Sequence, residues 1–146
     1  MYDFHRERDD PLYTDWVVYS PDVPVFREDD GRLLEEPYAC SFLTSPAPFR
    51  SRIAADDAPR LAAIEPAFRS RIAKVLAVGR AHGHETIVLG AWGCGAFGND
   101  PVLVARRFEE ALGGAFREAY REVLFAIYDA WEDRRTIGPF LERFGG

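Results

Sequence analysis

The chain is predicted to be an α/β protein, a layered sheet flanked by helices, and three observations predict it. From Pro66 onward the pattern of apolar residues reads helix, strand, helix, strand, helix, the alternation that builds such sheets through right-handed crossovers. A β-type run, Thr86-Ile87-Val88-Leu89, feeds a loop with four glycines (Gly90, Gly93, Gly95, Gly98) and then a helix-start signal, Asn99-Asp100-Pro101. Finally, Val123-Leu124-Phe125-Ala126-Ile127-Tyr128 is apolar throughout, as a strand buried on both faces of a parallel sheet would be.

Taken in order, Met1 to Pro11 is charged and without period, and reads as a frayed, solvated segment. Trp16-Val17-Val18-Tyr19 is β-branched and aromatic and reads as a strand, and Val23-Pro24-Val25-Phe26 continues it, with Pro24 suited to a sheet edge. Glu28 to Arg32 is a turn, so Val25-Phe26 and Leu33-Leu34 are expected to form a hairpin. Ala39 to Thr44 is a further strand, closed by Ser45-Pro46-Ala47-Pro48, because each proline turns its predecessor away from helix.

A helix of about 20 residues follows by the 3.6-residue pattern. Leu61, Ile64, Phe68, Ile72, Val75, Leu76 and Gly79 form its apolar stripe, while Arg69, Arg71, Lys74 and Arg80 are expected off it. Pro66 is expected to divide a short helix from a longer one, and His82-Gly83-His84 to stop it as an exposed turn. After the glycine loop, a helix capped by Asp100 runs through Val104, Phe108 and Leu112 to Gly113-Gly114. The last element is a short helix, Ile137 to Phe144, with Phe140, Leu141 and Phe144 inward.

Length and composition bound the function. The 146 residues amount to one domain, 47% hydrophobic and 29% charged, which excludes a disordered chain. A net charge of −6 argues against a general grip on nucleic-acid backbone. It leaves room for one anionic ligand, because backbone N–H groups supply local positive potential. Two cysteines make no secreted disulfide framework, and no apolar run reaches the ~18 residues of a membrane span, so a cytoplasmic protein is expected. The single lysine against 17 arginines fits GC-rich bacterial coding.

The glycine loop carries the chemistry. Glycine alone tolerates positive φ and close backbone approach without a Cβ penalty, so this loop can aim several N–H groups at one anion. Gly93-x-Gly95-x-x-Gly98 spells the dinucleotide fingerprint, but that fingerprint opens its helix inside the glycine run, and here the helix starts after it. A cysteine phosphatase needs an arginine six residues beyond its cysteine, where this chain has Asp100, and a P-loop needs a Lys-Ser or Lys-Thr pair that is missing. Cys94 reads as a small apolar side chain. His82 and His84 are too few for a metal site, and Glu35-Glu36 and Glu109-Glu110 read as solvated faces rather than a glycosidase pair. Phe97, a large aromatic inside a glycine loop, suits the covering of a ligand.

The loop Leu89-Gly90-Ala91-Trp92-Gly93-Cys94-Gly95-Ala96-Phe97-Gly98-Asn99-Asp100-Pro101, followed by Phe125-Ala126-Ile127-Tyr128-Asp129, resembles the microbial-type poly(ADP-ribose) glycohydrolases, a branch of the macrodomain superfamily. Tyr19 to Arg27 and Thr44 to Pro48 fit the same family, so the resemblance covers nearly the whole chain. It implies a macrodomain-like mixed or parallel sheet between helices, with residues 1–146 as the C-terminal portion of one domain. It also implies ADP-ribose or poly(ADP-ribose) as ligand, with no cofactor or metal and no direct contact to nucleic acid or membrane. Gly93, Cys94, Gly95, Ala96, Phe97, Gly98 and Asn99 would wrap the diphosphate and distal ribose, with Phe97 against that ribose. The family's catalytic signature, a glycine triplet followed by Gln-Glu-Glu, has no counterpart, since the chain holds no glutamine and no glycine triplet. No catalytic residue is therefore assigned, and a chain inactive alone is expected. The alternatives are a non-catalytic ADP-ribose-binding module and one half of a split hydrolase. A sheet face left uncovered would favour self-association or an N-terminal-half partner. A smaller departure is Phe49, where the family favours asparagine.

Overall fold

The computed structural model describes residues 1–145. The elements run α1 (Tyr2–Arg8), β1 (Val18–Arg27), β2 (Leu33–Thr44), a short 3-10 turn (Arg50–Arg52), α2 (Ala58–Ala81), β3 (Thr86–Leu89), α3 (Pro101–Gly113), β4 (Glu122–Phe125) and α4 (Gly138–Phe144). The α/β class is as the pattern predicts. Its strands, however, lie in two separate pairs, an antiparallel β1–β2 and a parallel β3–β4.

The β1–β2 hairpin pairs from Val18↔Thr44 to Arg27↔Leu33, around the predicted turn. The ladder is irregular between Ser20 and Val23, where Asp22 has φ +49°, so Pro21 falls at a bulge. Pro24 stands on a strand with one neighbour only, the edge position its missing N–H requires. In β3–β4, Ile87 pairs with Val123 and Val88 with Leu124, and paired residues of parallel strands share a face. Ile87 is buried, whereas Val88 and Leu124 are 61% and 46% exposed.

The apolar run at β4 is thus covered on one face only, and strand pairing stops at Phe125 rather than continuing to Tyr128. The inward face packs under α3 and α4, with Phe125 5.5 Å from the Phe108 ring, 5.2 Å from Phe140 and 4.5 Å from Phe144. No described element covers the opposite face, which leaves Val88, Leu124 and Tyr128 exposed.

Helix α2 carries the centre of the core through Ile64, Phe68, Ile72, Val75 and Leu76, the predicted stripe. Two expectations change there. Pro66 does not divide the helix, which runs 24 residues through it. Arg71, expected off the stripe, is 1% exposed. Its position is three residues beyond Phe68 and four before Val75, which puts it on the apolar face by spacing. Its guanidinium is satisfied there: Nε donates to Asp15 Oδ1 (3.0 Å), Nη1 to the Pro46 carbonyl (3.0 Å), and Nη2 to the carbonyls of Leu12 (2.5 Å) and Tyr13 (3.1 Å). Burying a charge is tolerable only with such partners. The result is a rivet between α2 and the chain at Leu12 to Asp15.

That chain is not frayed. Residues 2–8 form α1, and His5 is buried, within 2.7 Å of Thr14 Oγ1 and accepting from the Thr14 N–H at 3.3 Å. Phe4 packs on Trp16 at 4.7 Å between ring centres. These contacts are long-range, so local composition could not announce them. At the other end, Phe140 faces inward as expected, but Leu141 points outward, 44% exposed.

Candidate functional site

The glycine loop runs between β3 and α3. Asp100 caps α3, accepting the Val102 N–H at 2.9 Å, with Pro101 in the first turn. The helix therefore begins after the last glycine, as the sequence indicates, and the dinucleotide arrangement is excluded on geometry.

Two of the glycines are obligatory. Gly93 and Gly98 have φ of +74° and +68°, in the left-handed region. A Cβ on Gly93 would lie 2.6 Å from Ala47 Cβ and 2.7 Å from Asn99 Nδ2, and one on Gly98 would collide with Ser51 Oγ. The loop is so tightly wound that it bonds to itself: Cys94 N–H to Ala91 O (3.0 Å), Gly98 N–H to Gly95 O (2.9 Å) and Asn99 N–H to Gly93 O (3.1 Å). Asn99, 4% exposed, is turned inward, and its amide donates to the carbonyls of Pro48 (2.7 Å) and Gly93 (2.9 Å). It braces the loop against the Ser45–Pro48 segment.

What the loop does not bond is more informative. Among the described residues, the N–H groups of Gly93, Gly95, Ala96 and Phe97 enter no internal hydrogen bond. All four residues line one cavity of about 710 Å³. Open N–H donors on residues around one cavity are chemically able to take an anion there. The rest of the lining includes Ser45, Pro46, Ala47, Arg52 and one side of α1. Ser45 Oγ is buried without a partner.

Phe97 is half-buried and lies flat on Phe49, ring centres 4.2 Å apart and planes 13° from parallel. The phenylalanine at position 49 is therefore the platform under the loop's own aromatic. Ser51 ties the same platform to the loop, its N–H donating to Phe97 O at 3.0 Å. Cys94 is inert here: burial, then the charge of Asp100, push its thiol up to about 12.

The other residues weighed in the sequence lie elsewhere. His82 stacks on Tyr19 at 3.8 Å, and His84 Nε2 sits 2.9 Å from the Tyr19 hydroxyl, which steadies the turn against β1. Glu109 pairs with Arg143 at 3.3 Å and Glu110 with Arg107, and Glu35 and Glu36 are exposed on β2. Among the described residues no three His, Cys, Asp or Glu side chains group as a metal would need, and no helix is long and apolar enough to cross a membrane. Sequence reasoning missed α1 and Arg52 as walls of the cavity. The Phe4–Trp16 aromatic pair was the available signal for α1, though only a contact across twelve positions gives it meaning.

A second, larger concavity of about 890 Å³ lies between the sheets. It is a trough lined by β2 from Ala39 to Leu43 and by β3 from Thr86 to Leu89, with Val75 and Phe108 among its floor residues. Ser45 and Trp92 line both the trough and the loop cavity.

The fold defines a macrodomain-like α/β protein. A family profile described as "Microbial-type PARG, catalytic domain" matches residues 1–28. The structure superimposes on poly(ADP-ribose) glycohydrolase from Deinococcus radiodurans, in a crystal structure in complex with ADP-ribose, with TM-score 0.92 and 40% identity, covering 99% of this chain and 58% of that one. The enzyme from Thermomonospora curvata matches with TM-score 0.90 and 51% identity, covering 98% of this chain and 52% of that one. The same enzyme bound to the inhibitor ADP-HPD matches with TM-score 0.90 and 50% identity, over 98% and 54%. No curated protein matches the sequence. Over nearly its whole length the chain is similar to these bacterial poly(ADP-ribose) glycohydrolases, and it spans between 52% and 58% of the length of these solved relatives.

Proposed function

We propose that this chain is the ADP-ribose-binding portion of a poly(ADP-ribose) glycohydrolase-like macrodomain protein, that it acts in the cytoplasm, and that alone it binds without cleaving. The observation that carries this reading is the set of open N–H groups at Gly93, Gly95, Ala96 and Phe97 around one cavity. They would take the diphosphate oxygens, with Cys94 and Gly98 completing the wrap, Asn99 holding its shape, and Phe97 against the distal ribose. The relatives crystallised with ADP-ribose support the choice of ligand. Cleavage requires an acid placed at the leaving oxygen, and the Gln-Glu-Glu signature expected to supply it has no counterpart in the sequence.

Calorimetry with ADP-ribose tests the binding, and release of ADP-ribose from poly(ADP-ribose) tests the chemistry. Expected are a saturable isotherm, its loss in Phe97→Ala, and no hydrolysis. No heat at millimolar ligand would overturn the binding, and hydrolysis by the purified chain would overturn the rest.

A second reading, one half of a split hydrolase, is favoured by the trough. Both β2 and β3 pair on one side only and present their free edges to it. In this reading a second polypeptide adds strands between them. Co-expression with a candidate carrying a glycine triplet and Gln-Glu-Glu should return a stable complex, and a chain that never retains one would argue for the binding module alone.

A further inference from the structure

Arg52 is the one arginine on the loop's own side of the cavity, and its surroundings hold it there. It ends the short turn whose middle residue, Ser51, bonds to the loop through Phe97 O at 3.0 Å and Ala96 O at 3.4 Å. Its guanidinium lies 5.8 Å from the centre of the Phe49 ring, the same ring on which Phe97 stacks. Arg52 and the four residues with open N–H groups line one cavity. The carboxylate that Arg52 holds is Asp9, Nη2 to Oδ1 at 2.8 Å. Asp9 also lines that cavity, and it sits at the end of α1 with φ +50°.

An aspartate at the edge of a cavity built for an anion is a misplaced charge unless something neutralises it. Asp9 occupies on Arg52 the position a phosphate oxygen would take, and both side chains are solvent-accessible, 73% and 46% exposed. Exposed pairs of this kind are weak, so an anion bearing two charges can displace one. The fork geometry of arginine suits phosphate as well as carboxylate.

We infer that Arg52 is a ligand-binding residue that exchanges Asp9 for the diphosphate of the bound ligand, so that Asp9 acts as an internal competitor at the cavity. This rests on the ADP-ribose reading above. In the bound state Arg52 adds a side-chain clamp to the backbone cradle, and α1 loses its ion-pair tie to the loop side.

ADP-ribose titrated into wild type, Arg52→Gln, Arg52→Lys and Asp9→Asn by calorimetry tests it, with thermal melting confirming that each folds. Arg52→Gln should weaken binding about tenfold, the scale of one charge-assisted hydrogen bond. Arg52→Lys should recover part of that loss, and Asp9→Asn should tighten binding by about threefold, since an exposed pair is no longer broken. No binding by wild type would remove the ligand reading and this proposal together. Wild-type affinity in Arg52→Gln would overturn the proposal alone, and an unchanged affinity in Asp9→Asn would overturn the exchange.

Discussion

Replacing Gly93 by alanine isolates what the glycine loop is for. The residue has φ +74°, which costs an alanine about 1–2 kcal/mol. The new Cβ would lie 2.6 Å from Ala47 Cβ and 2.7 Å from Asn99 Nδ2, neither of them the far end of a long flexible side chain. Asn99 must then yield one or both amide bonds, to Pro48 O and Gly93 O, each worth about 1 kcal/mol net. The sum is about 3 kcal/mol. For a chain of this size that lowers the melting temperature by roughly 6–12 °C and the urea midpoint by roughly 1–2 M. The displaced loop should also lose ADP-ribose binding at a temperature where the variant is still folded. Gly95→Ala is the internal control. Its Cβ would meet no heavy atom within 4 Å and its φ is not positive, so stability should move by less than ~0.5 kcal/mol. Thermal melting and calorimetry on the two variants decide the matter. Gly93→Ala melting with wild type, or Gly95→Ala falling as far as Gly93→Ala, would refute the account of the loop.

Acid should detach α1 before it unfolds the rest. Burial first, and then nearby positive charges including Arg71 and Arg8, hold the His5 imidazole below its ordinary value of 6.5. The stability it confers is therefore fully present above that value and is lost as pH falls through the lowered one. Amide protection in residues 2–8, corrected for the intrinsic exchange rate, should fall as pH drops below the ordinary histidine value, and His5→Gln should remove that pH dependence. Asp15 governs a deeper step. Burial alone would raise its carboxyl, but hydrogen bonds from Ser70 and Arg71 and the charges of Arg71 and Lys74 hold it below 3.8. Stability from the Asp15–Arg71 rivet is then present above that value and lost as pH falls beneath it, a loss that acid titration should show as absent in Asp15→Asn. With its thiol pushed up to about 12, Cys94 should resist alkylation at pH 8 while exposed Cys40 reacts, as peptide mapping by mass spectrometry would show; equal labelling would contradict the burial of Cys94.

Much of the fold was legible wherever one local rule decided it. Asp100 before Pro101 marked the start of α3, Glu28 to Arg32 marked the hairpin turn, and the spacing of Ile64, Phe68, Ile72 and Leu76 marked the buried side of α2. The glycines marked a tightly wound loop, because positive φ leaves a mark in composition. Illegible were the features made by distant partners. Arg71 looked solvated because its charge outweighed its spacing, and only Asp15 and three carbonyls make its burial tolerable. Pro66 looked like a break because the rule for proline is local, while the packing that carries α2 through it is not. The Val123–Tyr128 run reads as a strand buried on both faces, and its composition holds no sign that one face stays open. At the cavity, the glycine loop was readable and the rest of the lining was not, since α1 and Arg52 reach it only through tertiary contacts.

Ser45 and Trp92 form a party wall between the loop cavity and the trough. Anything that entered the trough would meet side chains that also line the loop cavity, so two such occupancies would share a free energy. Linkage makes any such coupling reciprocal: a factor by which a filled trough alters affinity for the ligand is the factor by which the ligand alters affinity for what fills the trough. On the split-hydrolase proposal, for a chain spanning little more than half the length of its solved relatives, affinity for a small molecule in the loop cavity would then report on assembly.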